Sequence, residues 1–209
     1  MRLLKMGVSQ QQRNVDKLIT FDTFNVADGT HINKPLEKGD YNWELPITVS
    51  TPINGNKMAS RAGGNNACPM SPPIDIDKKR FIFDVYYTVT NGHTGILTSY
   101  INQSNYCYAI FIGSAARIGI MYNGVPTIKA SGGLGVTRNE LFKDVEVIVD
   151  DHTVTMKYAN EISYSHPNDI ELEPGLTERD FFLSGVHKNG FISYRTDTQF
   201  IGNFRLYTL

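Results

Sequence analysis

Arg80-Phe81-Ile82-Phe83-Asp84-Val85-Tyr86-Tyr87-Thr88-Val89 alternates without a break. Phe81, Phe83, Val85, Tyr87 and Val89 fall on one face, and Ile82, Asp84, Tyr86 and Thr88 on the other. A period of two over ten residues describes an extended strand with one face in a core, because successive side chains of a strand point to opposite sides. The same alternation returns in Tyr106 to Ile112 and in Asp144 to Asp150, where Val145, Val147 and Val149 align. It returns again in Thr153 to Tyr158, with Val154, Met156 and Tyr158 aligned, and in Phe200 to Tyr207, with Phe200, Phe204 and Leu206 on one face. Turn signals punctuate these runs. Asn123-Gly124 is expected to link Arg117–Tyr122 to Val125–Ala130, and Asn189-Gly190 to link Leu183–Lys188 to Phe191–Arg195, since such pairs tolerate the positive φ of a tight hairpin turn. Asp150-Asp151-His152 reads as a third tight connection, with Asn54-Gly55 and Asn91-Gly92 as weaker cases. Short links make antiparallel neighbours.

Helical signals are few. Thr137-Arg138-Asn139-Glu140 reads as a capping box opening one or two turns through Lys143, and Thr177 to Phe182 as a further turn. About a dozen strands with no βαβ alternation and no repeat of about 40–50 residues predict an all-β, antiparallel two-sheet sandwich or jelly roll with one or two very short helices. Residues 1–17, polar and glutamine-rich with Leu3, Leu4 and Met6 as apolar anchors, form an N-terminal arm. Residues 18–209 form one domain.

Composition removes several functional classes. The 209 residues carry 20 lysines and arginines against 21 acidic residues, and the longest basic run is Lys78-Lys79-Arg80. Neither an electrostatic nucleic-acid grip nor a polybasic membrane patch follows from that balance. Cys68 and Cys107 stand far apart, and His31, His93, His152, His166 and His187 form no metal-binding pair, so the sequence encodes no zinc site. A calcium site would need Asp22, Asp28, Asp75 or Asp77 gathered by loops, and no calcium-loop motif is present. No metal or cofactor is expected. Met1 to Gly7 is followed at once by polar residues rather than an apolar run, so no secretory signal is read there, and no transmembrane run occurs. The thiols are expected to stay reduced in a cytoplasm.

Three short motifs carry a resemblance. Phe21-Asp22-Thr23-Phe24-Asn25-Val26-Ala27-Asp28-Gly29-Thr30 followed by Trp43-Glu44 is similar to the opening of concanavalin A-like, laminin G-like jelly rolls, with Val26 where the family pattern has Arg. Gly92-His93-Thr94-Gly95-Ile96-Leu97 and Asn105-Tyr106-Cys107-Tyr108-Ala109-Ile110 resemble the family's glycine-marked strand and its tyrosine-rich central strand. Ile201-Gly202-Asn203-Phe204-Arg205-Leu206-Tyr207 resembles the closing strand, with Gly202 in place of Asp. Such domains occur in bacteriophage tail, fibre and capsid-surface proteins and in bacterial glycan-binding modules. The resemblance implies terminal strands paired side by side, with Phe24 near Phe204 and Trp43 capping one end of the core. It also implies a virion-surface protein made in a host cytoplasm, tied to other virion proteins by the arm and displayed in many copies.

The chemistry of a hydrolase is sparse. Retaining glucanases on this fold use an E-x-D-x-E strand that sets two carboxylates about 5–5.5 Å apart. This chain has none; Asp75-Ile76-Asp77, Glu171-Leu172-Glu173 and Asp144-Val145-Glu146 come nearest, and read as loop acids or a solvated strand face. Ser131-Gly132-Gly133-Leu134-Gly135-Val136-Thr137 lacks the lysine of a phosphate loop, and Ser165-His166 precedes Pro167 in a polar loop, with no nucleophile elbow in the chain. Glycan binding needs only aromatic faces for sugar C–H surfaces and polar groups for hydroxyls. The candidates for one shallow groove are Asp84, Tyr86, Tyr106, Arg117 and Tyr122. The leading expectation is a non-enzymatic virion adhesin or decoration protein that binds glycan weakly and gains strength by multivalency. A ligand-free structural protein comes next, marked by an apolar patch at a sheet edge, and a glycoside hydrolase with dispersed carboxylates third.

Overall fold

The computed structural model describes residues 16–25, 35–44, 58–59, 65–87, 92–135, 140–166, 170–184, 186–194 and 200–209. The strands run β1 (Lys17–Asp22), β2 (Asn42–Trp43), β3 (Met58–Ala59), β4 (Asn65–Ser71), β5 (Lys79–Tyr87), β6 (His93–Asn102), β7 (Asn105–Ile112) and β8 (Ala115–Tyr122). They continue as β9 (Val125–Gly133), β10 (Glu140–Val149), β11 (Thr153–Lys157), β12 (Glu161–Ser165), β13 (Glu171–Glu173) and β14 (Leu176–Thr177). Helix α1 (Glu178–Leu183), β15 (Lys188–Tyr194) and β16 (Phe200–Thr208) complete the order. One seven-stranded sheet runs β1-β16-β5-β10-β11-β12, with β3 also on β16; the other runs β2-β4-β15-β6-β7-β8-β9. All pairings are antiparallel, so the fold is the expected two-sheet jelly roll.

The core lies between the sheets and follows the alternation of β5. Phe81, Phe83, Val85 and Tyr87 are fully buried and pack with Val145, Val147 and Val149 of β10. Across the layer they meet Cys107, Ala109 and Phe111 of β7 and Ile118 and Ile120 of β8. Each such Phe or Val contributes about 1.5–3 kcal/mol by leaving water.

The opening motif has a physical reason. Trp43 is fully buried against Phe24, Phe191 and Phe204, at ring separations of 6.2, 4.5 and 5.4 Å. Its indole Nε1 donates to Asp22 Oδ2 at 2.7 Å, and the Phe24 amide donates to Asp22 Oδ1 at 2.8 Å. A buried indole N–H needs such an acceptor. Strand β1 pairs with β16 and brings both terminal strands to this ring cluster, as the resemblance implies. Pairing begins at Lys17, and Asp16 sits on Arg80 at 2.8 Å. Leu3, Leu4 and Met6 of the proposed arm lie outside the described residues.

Three local expectations are corrected. Glu140 to Lys143 belong to strand β10, with Glu140, Leu141 and Phe142 opposite Tyr87, Tyr86 and Val85 of β5. Sheet pairing there overrides the capping signal, whose residues Thr137–Asn139 are not described. The helix forms at the other site, where Thr177 Oγ1 accepts from the Asp180 amide and Asp180 answers to the Thr177 amide, a complete capping box. Asn189-Gly190 is not a turn: both lie inside β15, between β4 and β6. Gly190 is required because a Cβ would collide with the Cys68 carbonyl of β4. In β16 a bulge at Asn203, at φ 49°, shifts the alternation, so Ile201 rather than Gly202 shares the buried face of Phe204 and Leu206. Asn123-Gly124 and Asp150-Asp151-His152 do turn the chain, the former with φ of 49° and 77°. Asn54-Gly55 and Asn91 lie outside the described residues.

Candidate functional site

The second sheet is apolar on both faces. Beyond the core, its outer face carries a separate cluster of Leu97, Tyr100, Tyr106, Tyr108, Ile110 and Ile192, each no more than 6% exposed. Register explains how they meet. Tyr106 stands opposite Met121 and then Pro126, Tyr108 opposite Gly119 and then Ile128, and Ile110 opposite Arg117 and then Ser131, across β7, β8 and β9. Tyr100 and Tyr106 stack at 6.4 Å, and Tyr106 and Tyr108 tilt together at 6.0 Å.

These rows enclose a cavity of about 250 Å³, lined among others by Tyr106, Tyr108, Ile110, Arg117 and Ile128, with His93 at one end. Gly119 lets the Tyr108 ring lie across β8, since a Cβ there would collide with the phenol. Burial pushes the Tyr106 phenol up to about 12 and raises that of Tyr108, against which the nearby Arg117 charge acts. Both remain protonated donors at neutral pH. Burial lowers His93 to about 4, so its ring is neutral. Arg117 is half-buried, its Nε has no hydrogen-bond partner, and it forms no ion pair among the described residues. Among the described residues no Asp or Glu lines the cavity.

The five groove candidates therefore do not share one groove. Tyr106 and Arg117 come together in the cavity. Asp84 and Tyr86 lie on the outer face of the opposite sheet, because β5 belongs to it and buries the alternate residues. There Asp84 accepts from the Asp144 amide at 2.9 Å and from Asn203 Nδ2 at 2.6 Å, tying two bulges whose residues Asp144 and Asn203 both have positive φ. Tyr122 turns its ring onto Phe181 at 6.1 Å and donates to Glu173 Oε2 at 2.6 Å. The acids considered for catalysis are dispersed: Glu146 meets Arg80 and Lys157, Asp144 meets Arg205, and Glu173 holds Tyr122. Among the described residues no group of three potential ligands could hold a metal ion.

The sequence reading missed Tyr108, Ile110, Met121, Ile128 and His93. Period two gives part of this set, since Tyr108 and Ile110 share the face of Tyr106, and Met121 that of Arg117. It does not say which face is interior, because Cys107, Ala109 and Phe111 are equally apolar.

No protein-family model matches the chain, and no curated protein matches it. Solved structures do match in fold. SCLam, a non-specific endo-β-1,3(4)-glucanase of family GH16, superposes with a TM-score of 0.58 at 7% identity, over 92% of this chain and 91% of that one. The laminarinase from Rhodothermus marinus gives 0.55 at 8%, over 93% and 98%. The binding domain of Botulinum neurotoxin DC, solved with rat synaptotagmin II, gives 0.50 at 11%, over 87% of this chain and 49% of that one. The fold is thus a concanavalin A-like jelly roll, a scaffold shared by hydrolases and binding domains; at these identities the likeness defines the architecture alone.

Proposed function

We propose that this jelly roll is a non-catalytic carbohydrate-binding domain whose site is the tyrosine-lined cavity on the outer face of the second sheet. The observation that carries this reading is the convergence of Tyr106, Tyr108 and Arg117 in one cavity. Phenol rings offer apolar faces to sugar C–H groups, and their hydroxyls and the guanidinium offer donors to sugar oxygens. At about 250 Å³ the space is below the roughly 300–1,000 Å³ of sites for drug-sized ligands, which favours a single terminal sugar over a chain segment. A catalytic reading would need two carboxylates flanking a scissile bond, and among the described residues the cavity lining supplies neither.

The setting we propose is a bacteriophage virion surface, where many copies convert weak single-site binding into adhesion. That part rests on the motif resemblance, with the residues ahead of Asp16 as the attachment arm, since Asp16 and Lys17 are held by the sandwich. The structural alternative draws support from β9, the terminal strand of its sheet, where Val125 is 63% and Ile128 48% exposed. A glycan array probed with the full chain in multivalent form tests the reading. Selective binding that Tyr106→Ala abolishes, with the variant's fold verified by circular dichroism, is the expected result. Absence of binding to any glycan would transfer the assignment to the structural role.

A further inference from the structure

We infer that the cavity selects a sugar bearing an oxyanion, a carboxylate or a sulfate ester, with Arg117 as the group that reads the charge. This rests on the carbohydrate-binding reading and adds the class of sugar. Among the described residues the lining contains one permanent charge, Arg117, and no carboxylate to balance it. His93, the other basic side chain in the lining, is neutral at physiological pH because it is buried. Around the cation stand Ile110 opposite it in β7 and Tyr108 and Ile128 one row along. A guanidinium in such surroundings is only partly solvated, so its field acts strongly on whatever enters.

The donor balance points the same way. Arginine brings five N–H donors and no acceptor, while the protonated phenols and the neutral His93 ring can each donate or accept, so the one fixed charge-assisted donor set is that of Arg117. Neutral sugars present hydroxyls that must also donate, and a site for them normally includes carboxylate acceptors; this lining has no Asp or Glu. An oxyanion accepts only. It matches the planar fork of arginine in a paired, charge-assisted geometry, and it relieves the cost of a half-buried charge without a partner. The remainder of the ring would lie against Tyr106 and Tyr108.

The test uses matched monosaccharide pairs that differ only at C6: the methyl glucoside, galactoside and mannoside, each against its uronide and its 6-O-sulfate. Binding to the full chain is read by NMR titration. The expected result is a preference of about tenfold or more for at least one charged member over its neutral partner. That preference should fall as salt is raised and vanish in Arg117→Gln while neutral binding persists. Uronide and sulfate arms identify which oxyanion is preferred. Equal affinity within every pair would overturn this inference and leave carbohydrate binding intact; no binding in any pair would overturn both. Should Arg117→Gln fail to fold, Arg117→Lys and the salt dependence of the unmodified chain decide: a charge preference insensitive to salt overturns the role of Arg117.

Discussion

The two outer faces of the sandwich handle charge in opposite ways. On the outer face of the β5-containing sheet Arg80 reaches Asp16 and Glu146, Lys157 reaches Glu146, and Arg205 reaches Asp144. Asp84 is consumed in holding two bulges. On the β7-containing sheet the Arg117 guanidinium lies among tyrosines and aliphatic residues, with no anion in the lining among the described residues. The first face ties these cations to acids, whereas Arg117 stands in an apolar cavity with no ion pair among the described residues. The comparison also explains why residues with similar side chains, such as Tyr86 and Tyr106, have different prospects.

Between the faces lies a charge that neither uses, and it gives the largest expected effect. Lys79 is fully buried, and its Nζ has no hydrogen-bond partner. Burial lowers its pKa from 10.5 to about 8, with Cys107 and Asp77 opposing. The folded state thus prefers the neutral amine. Below about pH 8 both states are protonated and the penalty is complete; between about 8 and 10.5 the unfolded chain alone holds the proton, so stability rises with pH. Lys79→Met should therefore stabilise the protein by up to roughly 3 kcal/mol at pH 7, and the gain should shrink through that window. Chemical denaturation at pH 7 and pH 9.5 measures both; a variant no more stable at pH 7 would contradict the unsatisfied amine.

Asp84→Ala breaks the self-satisfied face. Losing two acceptor contacts at paired bulges should cost about 1–2 kcal/mol in the same assay and leave ligand affinity unchanged. A loss of binding would instead make the two faces functionally coupled. Ile128→Glu runs the comparison in reverse, giving Arg117 the kind of partner that the other face's cations already have. Affinity for the charged sugar should drop about tenfold, which is about 1.4 kcal/mol, with a cooperative melt retained. Unchanged affinity would remove Arg117 from the site. The smallest effect belongs to Glu146→Gln, which weakens two partly solvated pairs and should alter stability by less than about 1 kcal/mol.

The triplet Lys78-Lys79-Arg80 shows how far the sequence could be read. As composition it is a short basic run. Lys78, just ahead of β5, stands exposed beside Asp151; within the strand Lys79 enters the core and Arg80 lies outside over Tyr207, with its guanidinium carbon 5.0 Å from the ring centroid. Period two from Phe81 assigns Lys79 to the buried face, and the prejudice that lysine is exposed conceals it. Asn189-Gly190 misleads for the converse reason: a dipeptide suited to a turn is equally suited to a crowded strand interior, and only the neighbouring Cys68 carbonyl distinguishes the two.

The sequence by itself determined the strands β5, β7 and β11, the Asp144–Val149 part of β10, the Asn123-Gly124 hairpin and a helical turn at Thr177–Phe182, because alternation and turn chemistry act over a few residues. Tertiary structure alone decided which sheet each strand joined, and with it which tyrosines share a face. It separated Asp84 and Tyr86 from Tyr106 and Arg117 by the thickness of the sandwich. Strand order and register are set by contacts between residues distant in the chain, and a local pattern that is apolar on both faces, as in β7, contains no information about which side looks inward.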